Sequence, residues 1–206
     1  APDDKEKFDQ NISGKFEGIG ARLQKKDQVV KIVEVIAGGP VWKAKALEVG
    51  DIILKVAQKD EDAVEIGPMR LSDAVKLIKG PKGTQVFLTV RRVSGIIEEV
   101  EINRDIVELE ESYAKSSIIK KNGKNYGLIQ LPKFYIDFKD QKSRNAASDV
   151  KKELEALKNR NVIGIVLDLR NNGGGSLKTV VDITGFFIDK GPVVQVKSTG
   201  GSKDIL

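Results

Sequence analysis

Between Phe16 and about Val93, apolar residues come in short runs broken by Gly and Pro. Val29 to Ile36 (VVKIVEVI) mixes β-branched residues with partial alternation, which predicts a strand. Gly38-Gly39-Pro40 reads as a turn feeding a short helix. Pro40 suits the first helical position, where a missing N–H leaves no bond unmade. Leu47-Glu48-Val49-Gly50-Asp51 closes that helix and turns the chain, and Ile52 to Ala57 predicts the next strand. Leu71, Ala74, Val75 and Ile78 recur at i, i+3, i+4 and i+7, an apolar stripe along one helix. Gly80-Pro81 stops that helix, Gly by accepting a left-handed backbone and Pro by blocking continuation. Gln85 to Arg91 (QVFLTVR) alternates as a strand with one buried face.

A second texture begins near Lys124, after an extended, charged stretch from Ile96 to Leu109 that is expected to join two units. Tyr126 to Leu131 predicts a strand, and Ala147, Val150, Leu154 and Leu157 mark an amphipathic helix. Val162 to Leu169 (VIGIVLDL) is almost continuously apolar, the pattern of a strand covered on both faces. Leu177, Val180, Val181, Thr184, Phe187 and Ile188 share one face of a further helix, and Pro192 to Val196 begins another strand. The order β-α-β-α-β predicts parallel pairing through right-handed crossovers. No apolar run approaches the roughly 18 residues of a membrane span.

Composition narrows the chemistry. The 206 residues include no Cys and no His. This excludes disulfides, thiolate metal sites, cysteine catalysis, a Ser-His-Asp triad and histidine zinc sites. A hydrolase built on this chain needs Lys or a carboxylate as its base. The absence of Cys fits cytosol and periplasm alike. The net charge of +5 is spread over interleaved bases and acids, as in Lys151-Lys152-Glu153. That reads as a solvated mixed surface rather than a nucleic-acid patch. With 5% aromatic residues, stacking platforms for bases are not expected either. Residues 1–15 read as a polar arm with no signal peptide, although one could have been removed.

Two glycine-rich segments carry the candidate chemistry. In Gly18-Ile19-Gly20-Ala21-Arg22-Leu23, Leu23 replaces the third Gly of a dinucleotide fingerprint, so that reading falls away. A plain turn and a cradle for a peptide carboxylate remain, since paired glycines let successive N–H groups face one anion. The second segment, Asp168-Leu169-Arg170-Asn171-Asn172-Gly173-Gly174-Gly175-Ser176-Leu177, follows the apolar strand and opens a helix. Leu177 stands where a phosphate loop requires Gly before Lys178-Thr179, which argues against a nucleotide. A structural tight turn and an oxyanion hole remain. Ser176 is read as an N-cap rather than a nucleophile.

The first loop, the Pro40 helix, the LEVGDIILKV stretch and the Leu71–Lys79 helix come in the order found in bacterial PDZ domains, which they resemble. The resemblance implies a peptide groove between the strand after Gly20 and the Leu71–Ile78 helix. In it the amides of Ile19, Gly20 and Ala21 hold the ligand carboxylate, and Leu23, Leu71, Val75 and Ile78 line the apolar pocket. Ordinary core packing is the competing reading for those four side chains.

The stretches FEGIGARL, GGPVWKAKALEVGDIILKV, RLSDAVKLIKGPKGTQV, IQLPKFY and GIVLDLRNNGGGSL, followed by GFFIDKGPVVQV, resemble the tail-specific, or carboxy-terminal processing, protease family from residue 8 to about 200. The implied fold mixes α/β with mainly-β structure. An arm (1–15) and a bacterial-type PDZ domain (16–95) precede an incomplete β-α-β-α-β, crotonase-like protease core (96–206). The resemblance implies a Ser-Lys serine endopeptidase of the periplasm or cell envelope, acting on unstructured C-terminal tails with apolar ends. It implies no cofactor, metal, nucleotide or nucleic acid, and at most a peripheral membrane association. Gly174 and then Gly175 match the family's oxyanion-hole glycines. The family's nucleophile, in a Ser-Ala-Ser-Ala-Ser-Glu-type motif, and its dyad Lys have no counterpart here. The chain is therefore expected to be a protease fragment, inactive alone. The alternative is a stand-alone peptide-binding adaptor, which would have no use for the second half.

Overall fold

The computed structural model describes residues 12–138, 140, 142–197, 200–201 and 203–206, so most of the expected arm lies outside the described residues. Two compact units form. One is Lys15–Leu109; the other is Glu110–Leu206 with the described residues that precede Lys15.

The first unit is built on an antiparallel sheet in the order β2 (Ala21–Lys26), β3 (Val29–Val35), β4 (Ile52–Gln58), β6 (Gln85–Arg91), β7 (Ile97–Asn103), with the short β5 (Val64–Glu65) also on β4. Alternation decides its faces. Val30 and Ile32 of β3, Val86, Leu88 and Val90 of β6, and Ile102 of β7 all turn into one core with Ile53 and Val56. Two helices cover that face, α1 (Pro40–Ala44) through Val41 and α2 (Leu71–Ile78) through Ala74 and Ile78. The expected turn at Leu47–Asp51 is real. Asp51 is buried, accepts the Glu48 N–H at 2.9 Å and takes an Arg92 guanidinium at 2.6 Å.

The boundary differs from expectation. The charged stretch after Ile96 does not merely connect. It pairs along the whole of β6 as β7, then continues as β8 (Asp105–Glu108), which pairs antiparallel with β1 (Lys15–Gly18). Its Glu residues mislead because β7 is an edge strand, where one face and one edge are wet.

The second unit contains a three-stranded sheet in the order β11 (Ile165–Asp168), β10 (Lys124–Gln130), β9 (Lys115–Lys121). β10 and β11 pair in parallel across α3 (Ala146–Lys158), the predicted β-α-β crossover. Asn145 starts α3 with a reciprocal capping box to Ser148. Two expectations fail here. The strand after α4 (Leu177–Thr184) does not extend the parallel sheet. Instead β12 (Gln195–Lys197) pairs antiparallel with β13 (Lys203–Ile205) in a separate ribbon. Nor is the Val162–Leu169 stretch covered on both faces, for Val166 is 53% exposed and Ile163 and Leu169 are exposed too. β11 is the last strand of its sheet, and no second layer lies over its open face among the described residues.

Candidate functional site

In the first unit, β2 ends the sheet and presents a free edge. α2 lies beside it, and the two run antiparallel. At the end of β1, three residues ahead of β2, a Cβ on Gly18 would sit 3.6 Å from Cγ of Lys79, just past the end of α2. At the other end, Gly67, ahead of α2, comes so close to the Gln28 carbonyl that a Cβ would be 2.8 Å from it. β2 and α2 thus lie side by side, with different surroundings at the two ends of the seam between them.

The glycine loop forms the first end. The Ile19 carbonyl accepts Val41 N–H and the Gly20 carbonyl accepts Ile36 N–H, both at 2.9 Å. A trans peptide aims each carbonyl opposite to the next residue's N–H. The N–H groups of Gly20 and Ala21 are therefore turned away from the body of the unit. Gly20 has φ +81°, and its missing Cβ would lie 3.0 Å from the Gly39 Cα, so a side chain fits neither the backbone nor the space. Lys79 stands beside this loop, its ammonium 4.9 Å from the centre of the Phe16 ring.

The side chains expected to line the groove divide. Leu23, Leu71 and Val75 are half-buried, with Leu23 and Leu71 packed against the core. Ile78 is 3% exposed and belongs to the core itself, and so does Ile19. At the C-terminal end of α2 lies Arg104, a buried guanidinium to which sequence reasoning gave no role. It donates to the carbonyls of Ile78 (2.8 Å), Leu77 (3.0 Å) and Gln85 (2.8 Å), to Gln58 Oε1 (2.7 Å) and to Thr84 Oγ1 (3.0 Å). The Leu77 and Ile78 carbonyls are among the unpaired acceptors that a helix end leaves, while the Gln85 carbonyl belongs to the start of β6. Burial lowers the Arg104 pKa from its ordinary value.

In the second unit the Gly-rich loop leaves the carboxyl end of β11 and opens α4. Arg170 grips Asp168 through two donors, Nε to Oδ1 at 2.9 Å and Nη2 to Oδ2 at 2.7 Å, and holds the carboxyl down at about 2. Asn172 ties the loop to the end of β10, its Nδ2 donating to the Leu131 carbonyl (2.9 Å) and its Oδ1 accepting Gly174 N–H (2.8 Å). Phe134 then clasps the loop from the same side. Its N–H donates to the Gly174 carbonyl at 3.0 Å, and its carbonyl accepts Ser176 N–H at 2.8 Å. A Cβ on Gly175 would stand 2.3 Å from the Phe134 oxygen, so no other residue permits this approach. Since Gly174 C=O faces Phe134, the Gly175 N–H points the opposite way, and it has no acceptor among the described residues. Of the two expected glycines, Gly174 N–H is thus engaged by Asn172 and Gly175 N–H is open.

The clasp is itself held. The Tyr135 hydroxyl, next to Phe134, accepts Ala114 N–H at 3.1 Å and donates to Asp149 at 2.5 Å. Burial pushes the phenol pKa well up. Arg144 bonds the same Asp149 and lies 3.9 Å over the Tyr113 ring, which meets Tyr135 edge-on at 5.0 Å. Ser176 is 8% exposed, and its hydroxyl accepts Thr179 N–H at 3.4 Å as the N-cap of α4. Asn172, Phe134 and Tyr135 carry no spacing signal in the sequence, since their roles appear only when distant segments meet.

Comparison with known proteins agrees with both units. The profile of a PDZ domain matches residues 31–92, and that of Peptidase family S41 matches residues 125–205. A tail-specific protease of Haemophilus influenzae is 38% identical over 191 residues, covering 92% of this chain and 26% of that protein. The carboxy-terminal processing protease CtpA of Bacillus subtilis is 34% identical over 200 residues, covering 97% and 39%. The chain thus spans from about a quarter to two-fifths of these relatives' length. Among solved structures, the PDZ domain of a carboxy-terminal protease from Vibrio cholerae, in complex with peptide, is 43% identical with a TM-score of 0.44, covering 46% of this chain and 99% of that one. Over the length it covers, the chain belongs to the tail-specific, carboxy-terminal processing protease family, as a PDZ domain followed by part of an S41 peptidase domain.

Proposed function

We propose that this chain supplies two parts of a carboxy-terminal processing serine endopeptidase, a groove that captures apolar C-terminal tails and a loop that stabilises the oxyanion when unfolded protein is cleaved. The observation that carries the reading is the glycine loop at the head of a free strand edge. Gly20 and Ala21 turn their N–H groups outward there, where a tail adding to β2 would end. Apolar positions Leu23, Leu71 and Val75 beside the edge suit an apolar terminal residue. Calorimetry with this chain and one peptide, made as free acid and as amide, tests the reading. Each charge-assisted hydrogen bond contributes about 1.5–3 kcal/mol at most, so the amide should bind about tenfold or more weakly. Equal affinities overturn the carboxylate cradle.

For cleavage, Gly175 N–H is the donor held ready, at the carboxyl end of a strand and beside the start of α4. Ser176 serves as a helix cap and not as nucleophile. In the protein at its natural length, Gly175→Ala must push the Phe134 carbonyl away. Loss of one oxyanion donor costs roughly 10²–10³ in turnover, so this variant should lose that much while its peptide affinity holds. A folded variant with wild-type turnover leaves the glycines as a tight turn only.

A further inference from the structure

The far end of the groove carries a charge that the tail-capture reading does not use. Along β2, Ala21, Leu23 and Lys25 are half-buried while Arg22, Gln24 and Lys26 are exposed. Lys25 therefore shares the face of Leu23, the face turned toward α2. Its ammonium donates to the Met69 carbonyl, just ahead of α2. An ammonium has three donors, and Lys25 forms no ion pair among the described residues. The carboxylate in the first turn of α2, Asp73, is held by Arg70 at 2.9 Å.

We propose that Lys25 is a specificity-determining residue of the groove, selecting an acidic side chain four positions before the last residue of the bound tail. The inference rests on the tail-capture reading above and follows from register. A tail that puts its carboxylate on the amides of Gly20 and Ala21 lays its last residue beside Ala21. Antiparallel strands advance residue for residue, at about 3.4 Å each, so the residue four back lies opposite Lys25. Directly opposed residues send their side chains to the same face. The residues two and four back thus meet Leu23 and Lys25 in turn. A carboxylate there exchanges a neutral carbonyl partner for a charged one, a stronger acceptor for the ammonium. With Lys79 beside the carboxylate loop and Lys25 at the far end, the groove offers a cation at each end and apolar side chains between.

Peptides identical except for Glu, Gln or Lys at that position, all with a free apolar C-terminus, test the proposal by fluorescence anisotropy on this chain. Partly exposed ion pairs support roughly a two- to fivefold preference for Glu over Gln at low salt, shrinking as salt is added. Moving the Glu one position either way, to the opposite face, should remove the gain. Lys25→Glu should reverse the order and favour the Lys peptide, an inversion that a purely structural lysine does not produce. If that variant fails to fold, Lys25→Gln, similar in reach and able to keep the bond to Met69, should flatten the order. Wild-type binding of the Glu and Gln peptides with equal affinity overturns the role of Lys25 and leaves the groove standing. Absence of binding by every peptide overturns both.

Discussion

The two units treat their apolar residues differently. In Lys15–Leu109 the inward residues of β3 and β6, Val30, Ile32, Val86, Leu88 and Val90, share one buried core with α1 and α2, while exposed apolar residues such as Trp42, Val49, Val93, Ile96 and Ile97 lie mostly in turns, helix surface and the edge strand. In the second unit α3 covers one face of a three-stranded sheet through Val150 and Leu157. There β11 with its flanking residues, and the stretch after α4, leave Ile163, Val166, Leu169, Phe187 and Ile188 exposed. A hydrophobic pattern records what a segment is suited to be buried against. Only the packing shows whether those neighbours are present.

Substitution by charge is the sharpest way to break this contrast. Leu88→Lys puts an unpaired ammonium in a sealed core, a desolvation of several kcal/mol that should abolish cooperative unfolding of the first unit. Val166→Lys, with its side chain already in solvent, should change stability by no more than about 0.5 kcal/mol. Urea titration followed by circular dichroism reads both. Similar losses at the two sites mean that the second sheet is covered after all.

A smaller effect compares one carboxylate from each unit. Lys82 grips Asp105 in the first unit by a single hydrogen bond, with charge attraction added, and lowers its pKa. Arg170 grips Asp168 in the second with a two-donor fork and holds it at about 2. Both carboxyls are lowered on folding. Each therefore contributes stability that is present above its unfolded value, near 4, and lost as pH falls through its folded value. For Asp168 that window runs from about pH 4 down to 2. Carbon-13 NMR of the side-chain carboxyls should show Asp168 still ionised at pH 3. A midpoint near 4 removes the fork as an electrostatic clamp.

Much of the first unit was legible because its signals are local. Pro40 fixed a helix start and the spacing of Leu71, Ala74, Val75 and Ile78 a face; the helix does stop ahead of Gly80-Pro81, but through an extended Lys79, and Gly80 does not take the expected left-handed backbone. β7 escaped because an edge strand rich in Glu looks like a linker. β9 escaped because Lys115–Lys121 carries only Ile118 and Ile119 as apolar residues, adjacent rather than alternating. The position of the glycine loops could be read from their glycines. Which amide stays open could not, because Asn172 reaches Leu131 and Phe134 reaches Gly174 across about forty residues of chain. Such partners have no period for a sequence pattern to reveal.

The free edge of β2 has a consequence for solubility. A strand with a free edge can pair with another copy of itself, and unprotected edges of this kind nucleate aggregates. Arg22, Lys25 and Lys26 give this edge a strongly basic character, with Glu34 partnering only the first of them across the sheet. Two copies brought edge to edge in antiparallel register would set lysines against arginine, like charge against like. Basic side chains along the open edge thus discourage self-pairing, which lets the strand remain unpaired without becoming a seed for fibres.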